Sequence, residues 1–364
     1  VDQVQASYNP FKQTIVVPGK ALLFGEYGVM RGGDAVAVTI PNSRFKFNFE
    51  ISRCEKNSSG KGLVEFDSRF FAKPLQIHVD QLKKRVIEEE IGEKRNLACY
   101  LSPYDYLLSD SFLAVNVIES FSPSLGFGSS SAILSAFHLF LFSFKNQRLL
   151  TWPVEQDFWT AIYQSLMQLQ GRGSGYDLAV QCWSVLNKSS LEESGSVRCL
   201  HFVDQGFRQD APTILEPVVS ALEINPEQLQ DFGCFVETGI QSNTRSVLKD
   251  VEKRRLDDYF YQQQSFFARE FLRCPTVEKA RELCGASSEM AFAAGLLPDS
   301  AELSAFTAQC KRQGIAWKTM GAGGGDCLWV LASRKQLEQL IQNHQLKSLS
   351  VAFAFEDLKE QQCL

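Results

Sequence analysis

From Arg44 to Ile51 the chain reads Arg-Phe-Lys-Phe-Asn-Phe-Glu-Ile, an unbroken alternation of polar and apolar residues. That is the period of a strand with one wet face. Shorter β-rich runs precede it at Thr14–Val17, Ala21–Phe24 and Ala35–Ile40, punctuated by Pro18-Gly19-Lys20 and by Gly25-Glu26-Tyr27-Gly28. Residues 14 to 52 are therefore expected to form a sheet with polar groups at its strand ends, where sites are usually built. Asn57 to Gly62 predicts a turn, Val79, Leu82, Val86 and Ile87 a helical face ending near Gly92, and Phe112–Val117 a further strand. The most apolar run, Ala132–Phe144, contains His138 and is too short to span a bilayer, so it predicts a buried helix. Thr151-Trp152-Pro153 marks another helix start, with Val154, Phe158, Ile162, Leu166 and Leu169 on one face and Gly171 at the end. Beyond these, Phe232–Thr238, Leu328–Ala332 and Ser350–Phe355 read as strands. Asn243–Leu272, Ala301–Arg312 and Lys335–Asn343 read as helices.

A chain of 364 residues exceeds what one hydrophobic core usually supports. Pro212, Pro217 and Pro226 crowd the stretch after Asp204, so the expected division is 1–215 and 216–364. Hydrophobic residues at 45% and charged residues at 22% are the proportions of a soluble globular protein. The net charge of −5 argues against a nucleic-acid binder and leaves room for an anionic substrate in a local basic pocket. Ten cysteines without a Cys-x-x-Cys pair, and only four histidines, provide no zinc or disulfide framework. Reduced cysteines packed as small hydrophobes in a cytoplasmic protein are expected, with no signal peptide and no membrane span.

The candidate chemistry centres on Ser124–Ala132, read Ser-Leu-Gly-Phe-Gly-Ser-Ser-Ser-Ala, which feeds directly into the apolar helix. A helix start leaves backbone N–H groups unpaired and carries partial positive charge, so it suits an anion. No Lys-Ser or Lys-Thr pair closes the loop, which excludes a Walker A reading. The same residues also read as a serine-rich cap beside a tight turn. A second glycine-rich turn, Gly171 to Asp177, carries Ser174 and Asp177 or is an ordinary connection between elements. In the third, Lys318-Thr-Met-Gly-Ala-Gly-Gly-Gly-Asp-Cys327, the glycines permit close approach of backbone to backbone or to ligand.

Pro18-Gly-Lys-Ala-Leu-Leu-Phe-Gly-Glu-Tyr27, Gly126-Phe-Gly-Ser-Ser-Ser-Ala132, Ser174-Gly-Tyr-Asp177 and the Lys318–Cys327 motif occur in this order over most of the chain. Together they resemble the GHMP kinases, ATP-dependent kinases of small molecules. Phe127, where the family prefers Leu, is a conservative departure. The resemblance implies an α+β two-domain GHMP kinase fold: an N-terminal β/α domain like the second domain of ribosomal protein S5, and a C-terminal ferredoxin-like α+β domain. Gly25-Glu26-Tyr27 is similar to the motif of phosphomevalonate kinases, since mevalonate kinases usually place His at the position of Tyr27. Leu166 also departs from mevalonate kinases, which carry a metal-binding Glu there.

The resemblance further implies a kinase of the mevalonate pathway using ATP and Mg2+, with phosphomevalonate as acceptor and mevalonate as the alternative. Lys20 and Asp177 would be catalytic. Gly126, Gly128, Ser129, Ser130, Ser131, Gly323 and Gly324 would hold the nucleotide, with Ser130 toward the metal. Glu26, Tyr27, Ser174, Gly175, Gly325 and Asp326 would meet the substrate, although Tyr27 also reads as a packed aromatic. Arg172, Lys318 and Arg245 are candidates for the acceptor's phosphate, each with a solvated surface charge as its other reading. Other sugar or metabolite kinases, a non-catalytic ATP-binding sensor and a related decarboxylase are the remaining readings, and a homodimer stays open as the assembly.

Overall fold

The alternation around Phe47 belongs to β2 (Ala35–Arg53), which pairs antiparallel along most of its length with β1 (Phe11–Phe24). The structure, a computed structural model, describes residues 10–53, 62–69, 72–82, 92–119, 127–171, 173–187, 199–204, 218–223, 233–238, 251, 253–254, 256–297, 299–321, 327–333, 335–336, 339–340, 342 and 351–352. The sequence predicts a break at Pro18-Gly19, yet β1 runs through it. The register passes from Pro18 opposite Arg44 to Gly19 opposite Ile40, so residues 41–43 of β2 are looped out as a bulge. Pro lacks the N–H a ladder needs and Gly tolerates the bend, so the pair reads locally as a turn while pairing absorbs it as an irregularity.

The first sheet has seven strands in the order β4-β3-β5-β2-β6-β7, with β1 also on β2. Its other members are β3 (Leu63–Ser68), β4 (Leu75–His78), β5 (Ser111–Glu119), β6 (Cys199–Asp204) and β7 (Val218–Glu223). Only the β3–β5 pairing is parallel among these strands. β7 lies on the C-terminal side of the expected division at 215, so this sheet runs on through Glu223. On β2, Phe45, Phe47, Phe49 and Ile51 are buried, as the alternation predicts. Phe49 stacks on Phe140 with ring centroids 4.4 Å apart. Among the described residues the longer helices that accompany this sheet are α1 (Glu93–Leu101), α2 (Ser129–Asn146), α3 (Gln156–Gln170) and α4 (Tyr176–Leu186). α2 is the predicted apolar helix, and Phe137, His138 and Phe140 are fully buried in it.

The second sheet is antiparallel, in the order β11-β8-β10-β9: β8 (Cys234–Glu237), β9 (Ala316–Thr319), β10 (Cys327–Leu331) and β11 (Val351–Ala352). With it go α5 (Asp258–Arg273), α6 (Val277–Ala293) and α7 (Ala301–Arg312). Asp257, Thr276 and Ser300 cap these helices by accepting backbone N–H groups. The two sheets share a core, in which Phe24 of β1 lies against Phe271 of α5 at 5.2 Å and Trp329 of β10 at 5.6 Å. The turn predicted before Gly62, the Val86–Ile87 face and much of the helix from 243 and the helix from 335 lie outside the described residues. Among the described residues no helix is long and apolar enough to cross a membrane.

Candidate active site

The bulge at Pro18-Gly19 delivers Lys20 to the place where β1, the start of α2 and the start of α4 meet. The Lys20 backbone N–H donates to Phe127 O at 3.0 Å, pinning the loop before α2 to the strand. The next residue, Gly128, has φ +81° and is the cap of α2. A Cβ at that position would lie 2.7 Å from Lys20 Cε, so glycine is required twice over, by conformation and by the passing lysine. α2 then opens with Ser129, Ser130 and Ser131. Ser131 is buried and its hydroxyl donates to Gly128 O at 3.0 Å. Ser130 is exposed. Among the described residues no side chain caps this helix, and its first N–H groups and partial positive charge suit an anion.

α4 supplies the groups around the lysine. Gly175, with φ +69°, turns the chain into this helix, and Tyr176 and Asp177 occupy its first turn. Lys20 Nζ donates to the Tyr176 hydroxyl at 2.8 Å and lies 3.1 Å from Asp177 Oδ1 in an ion pair. The lysine side chain is 5% exposed and the aspartate 33% exposed, so among the described residues the carboxylate is the more open member of the pair. A buried ammonium requires such partners, because desolvating it unpaired is very costly. One helical turn after Asp177, Gln181 Nε2 donates to Pro18 O at 3.1 Å and Gly128 O at 3.2 Å. The buried amide thereby ties β1 to the loop before α2. Ser174 is buried, and its hydroxyl accepts a long bond from the Tyr176 N–H at 3.5 Å. Leu166, at the position where the resemblance places a metal-binding carboxylate in mevalonate kinases, is buried; a Cβ at Gly173 would lie 3.2 Å from its Cδ2.

Glu26 and Lys318 form an ion pair between the end of β1 and β9, with side chains 6% and 3% exposed. Lys318 is thus buried and paired, not a surface charge. Burial pushes its ammonium down to about 7, while the adjoining carboxylate favours the charged form. Lys318 Nζ also donates to Thr319 O at 2.9 Å, and Glu26 Oε2 is buried without a partner among the described residues. Tyr27 is buried against Phe260 of α5, with ring centroids 5.4 Å apart, and burial raises its phenol pKa. Gly126, Arg172, Arg245, Gly323, Gly324, Gly325 and Asp326 lie outside the described residues.

The structure thus brings together Lys20, Gly128, Ser129, Ser130, Ser131, Ser174, Gly175 and Asp177 around the starts of α2 and α4. Glu26, Tyr27 and Lys318 follow at the junction with the second sheet. Sequence reasoning missed Tyr176 and Gln181. Gln181 stands four positions after Asp177, a spacing that puts both on one face of a helix. Among the described residues no three His, Cys, Asp or Glu side chains are grouped as a metal site. A concavity on the outer face of the first sheet, lined by Lys12, Thr14, Glu50, Glu65 and Asp67 among others, includes none of these site residues. Chemically, an immobilised ammonium, a reachable carboxylate and an uncapped helix start suit the transfer of an anionic group.

No family model matches the sequence, and no curated protein sequence matches it. Among solved structures, the chain is similar to a mevalonate kinase of Methanococcus jannaschii at TM-score 0.61 and 15% identity, covering 94% of this chain and 97% of that one. It is similar to the phosphomevalonate kinase of Streptococcus pneumoniae in complex with phosphomevalonate and AMPPNP at TM-score 0.61 and 16% identity, covering 93% and 98%. A Lactococcus lactis galactokinase complexed with galactose is similar at TM-score 0.62 and 14% identity, covering 94% and 93%. The chain therefore has the fold of the GHMP kinases.

Proposed function

We propose that this chain is an ATP-dependent small-molecule kinase that transfers the γ-phosphoryl group of ATP to phosphomevalonate. The observation that carries the reading is Lys20, buried beside the start of α2 and paired with the partly exposed Asp177. Phosphoryl transfer asks the protein for alignment and charge neutralisation more than for covalent chemistry. The first N–H groups of α2 would hold the β- and γ-phosphates, and Lys20 would face the transferring group. Asp177 would face the acceptor. The similar Streptococcus pneumoniae protein was solved with phosphomevalonate and AMPPNP, which supports ATP and this acceptor class.

Magnesium fits the donor chemistry here: Ser130, exposed in the first turn of α2, offers a hydroxyl, a hard oxygen donor of the kind the ion takes beside substrate phosphates. When bound, it would neutralise charge on the β- and γ-phosphates. The buried Leu166 supports phosphomevalonate over mevalonate, because the carboxylate that the resemblance assigns to mevalonate kinases is absent at that position. Cys99, Cys182, Cys284 and Cys310 are buried free thiols, which supports a cytoplasmic protein.

The test is an acceptor screen at fixed ATP and Mg2+, reading ADP release. ADP release that requires phosphomevalonate is expected. Turnover confined to mevalonate or to a sugar would overturn the acceptor, and no turnover with any acceptor would overturn the kinase.

A further inference from the structure

Tyr176 and Asp177 are consecutive residues, and both reach the same ammonium. Their surroundings differ. Tyr176 is 8% exposed, its ring packed with Leu22, Val29, Ala179 and Val180, whereas the Asp177 side chain is a third exposed. The Lys20 nitrogen lies 2.8 Å from the tyrosine oxygen and 4.8 Å from its ring centroid. The tyrosine hydroxyl takes one of the ammonium's three donors as a hydrogen bond, whereas Asp177 Oδ1, 3.1 Å away, is held by charge without hydrogen-bond geometry. The buried partner is therefore fixed by its apolar packing, and the partner facing solvent is the one able to turn toward an incoming acceptor.

We infer that Tyr176 is a positioning residue for phosphoryl transfer. Its hydroxyl keeps the Lys20 ammonium in place while the Asp177 carboxylate leaves the ion pair to engage the acceptor. Without the hydroxyl, Lys20 depends on Asp177 alone, and the carboxylate stays committed to the lysine when the acceptor needs it. This inference rests on the kinase reading above. No bond is made or broken at Tyr176; the transferred group passes from the γ-phosphate to the acceptor oxygen, with ADP as leaving group.

Tyr176→Phe keeps the ring, its packing and its face toward the cation, and removes only the oxygen. The experiment measures kcat and KM for ATP and for the acceptor identified by the screen, together with the thermal midpoint, for wild type, Tyr176→Phe and Lys20→Met. A hydrogen bond to a charged group, lost mainly in the transition state, corresponds to a fall in kcat of about ten- to a hundredfold. Both KM values are expected to stay within about twofold, and the midpoint to fall modestly because the buried ammonium loses a hydrogen-bond acceptor in the resting protein as well. A wild-type kcat in Tyr176→Phe, or a loss confined to KM, overturns the positioning role and leaves the kinase reading intact. Full activity in Lys20→Met overturns the role of Lys20 and the inference with it; no turnover by the wild-type chain overturns the kinase reading, and the inference falls with that reading.

Discussion

Asp177 sits 3.1 Å from a buried ammonium with its carboxylate partly in solvent, and its contribution depends on what it faces. A hydroxyl acceptor must lose a proton, and a placed base is worth about 10²- to 10⁴-fold. A phosphate monoester, with a second pKa of about 6, already offers an ionised oxygen. Asp177→Asn is therefore expected to cost far more with mevalonate as acceptor than with phosphomevalonate. Steady-state rates on both acceptors check this, and equal losses would contradict the division of labour. Gly128 carries a second expectation at this scale. An alanine there would adopt φ +81° and set its Cβ 2.7 Å from Lys20 Cε. The left-handed backbone alone costs about 1 kcal/mol, so Gly128→Ala should lower the urea midpoint modestly. Its activity should fall by about 10²-fold, the scale for losing one aligned electrostatic contact, because the lysine must move. An alanine variant with wild-type kcat would show that Lys20 does not need its present path.

Among the elements, α2 joins the site to the core. Its first turn faces the site, and two turns later His138 is fully buried between Tyr104 of the segment before β5 and Ser165 of α3. Tyr104 Oη lies 2.8 Å from Nδ1, and Ser165 Oγ lies 3.0 Å from Nε2. A neutral ring satisfies both contacts, accepting through one nitrogen and donating through the other. Burial pushes the imidazole down to about 3 from its ordinary 6.5. As pH falls below 6.5 the unfolded chain takes up a proton that the folded chain refuses until about 3, so stability declines across that window. The limiting slope is about 1.4 kcal/mol per pH unit. In His138→Gln, whose amide does not titrate, the slope between pH 6.5 and 4 should be shallower by up to one proton. Urea unfolding of both proteins across that range checks it, and parallel profiles would contradict it.

The same scale explains what the sequence could disclose. The alternation at Phe45–Ile51 and the apolar run of α2 were legible because each buries one recognisable pattern. α4 was not, because Tyr176, Leu178, Ala179, Val180, Gln181, Cys182 and Ser184 are buried around much of its circumference, which leaves little amphipathic period to read. α6 escaped for the opposite reason: its buried face is Ala280, Leu283, Cys284, Ser287 and Ser288, small and mixed in polarity. Lys20 and Asp177 were legible through motif resemblance. Tyr176 and Gln181 act through contacts between α4, β1 and the loop before α2, across more than fifty positions of sequence, and such proximity has no local signature.

For the whole molecule, the question is what holds the second sheet against the first. The turn after β1 does much of it. Ser265 of α5 packs so closely on Gly28 and Gly33 that a Cβ at either would lie 2.4 Å or 1.8 Å from its hydroxyl. Arg269 pairs with Asp34 at 3.0 Å, and Tyr27 lies on Phe260. Deeper in this junction Glu26 and Lys318 form a buried ion pair. Removing one member strands the other in low dielectric, at a cost of about 3–5 kcal/mol, whereas replacing both by apolar residues of similar volume is often neutral or stabilising. Lys318→Met alone should therefore lower stability by that amount, and Glu26→Leu alone similarly. The double variant Glu26→Leu, Lys318→Met should recover most of the loss. Unfolding midpoints of the four proteins give the coupling directly, and additive losses would mean that the two charges do not act as a pair. If the pair serves only to join the sheets, the stable double variant will also retain turnover. If it retains stability and loses turnover, the buried Glu26 oxygen without a partner, or the Lys318 charge, belongs to the chemistry at the neighbouring site.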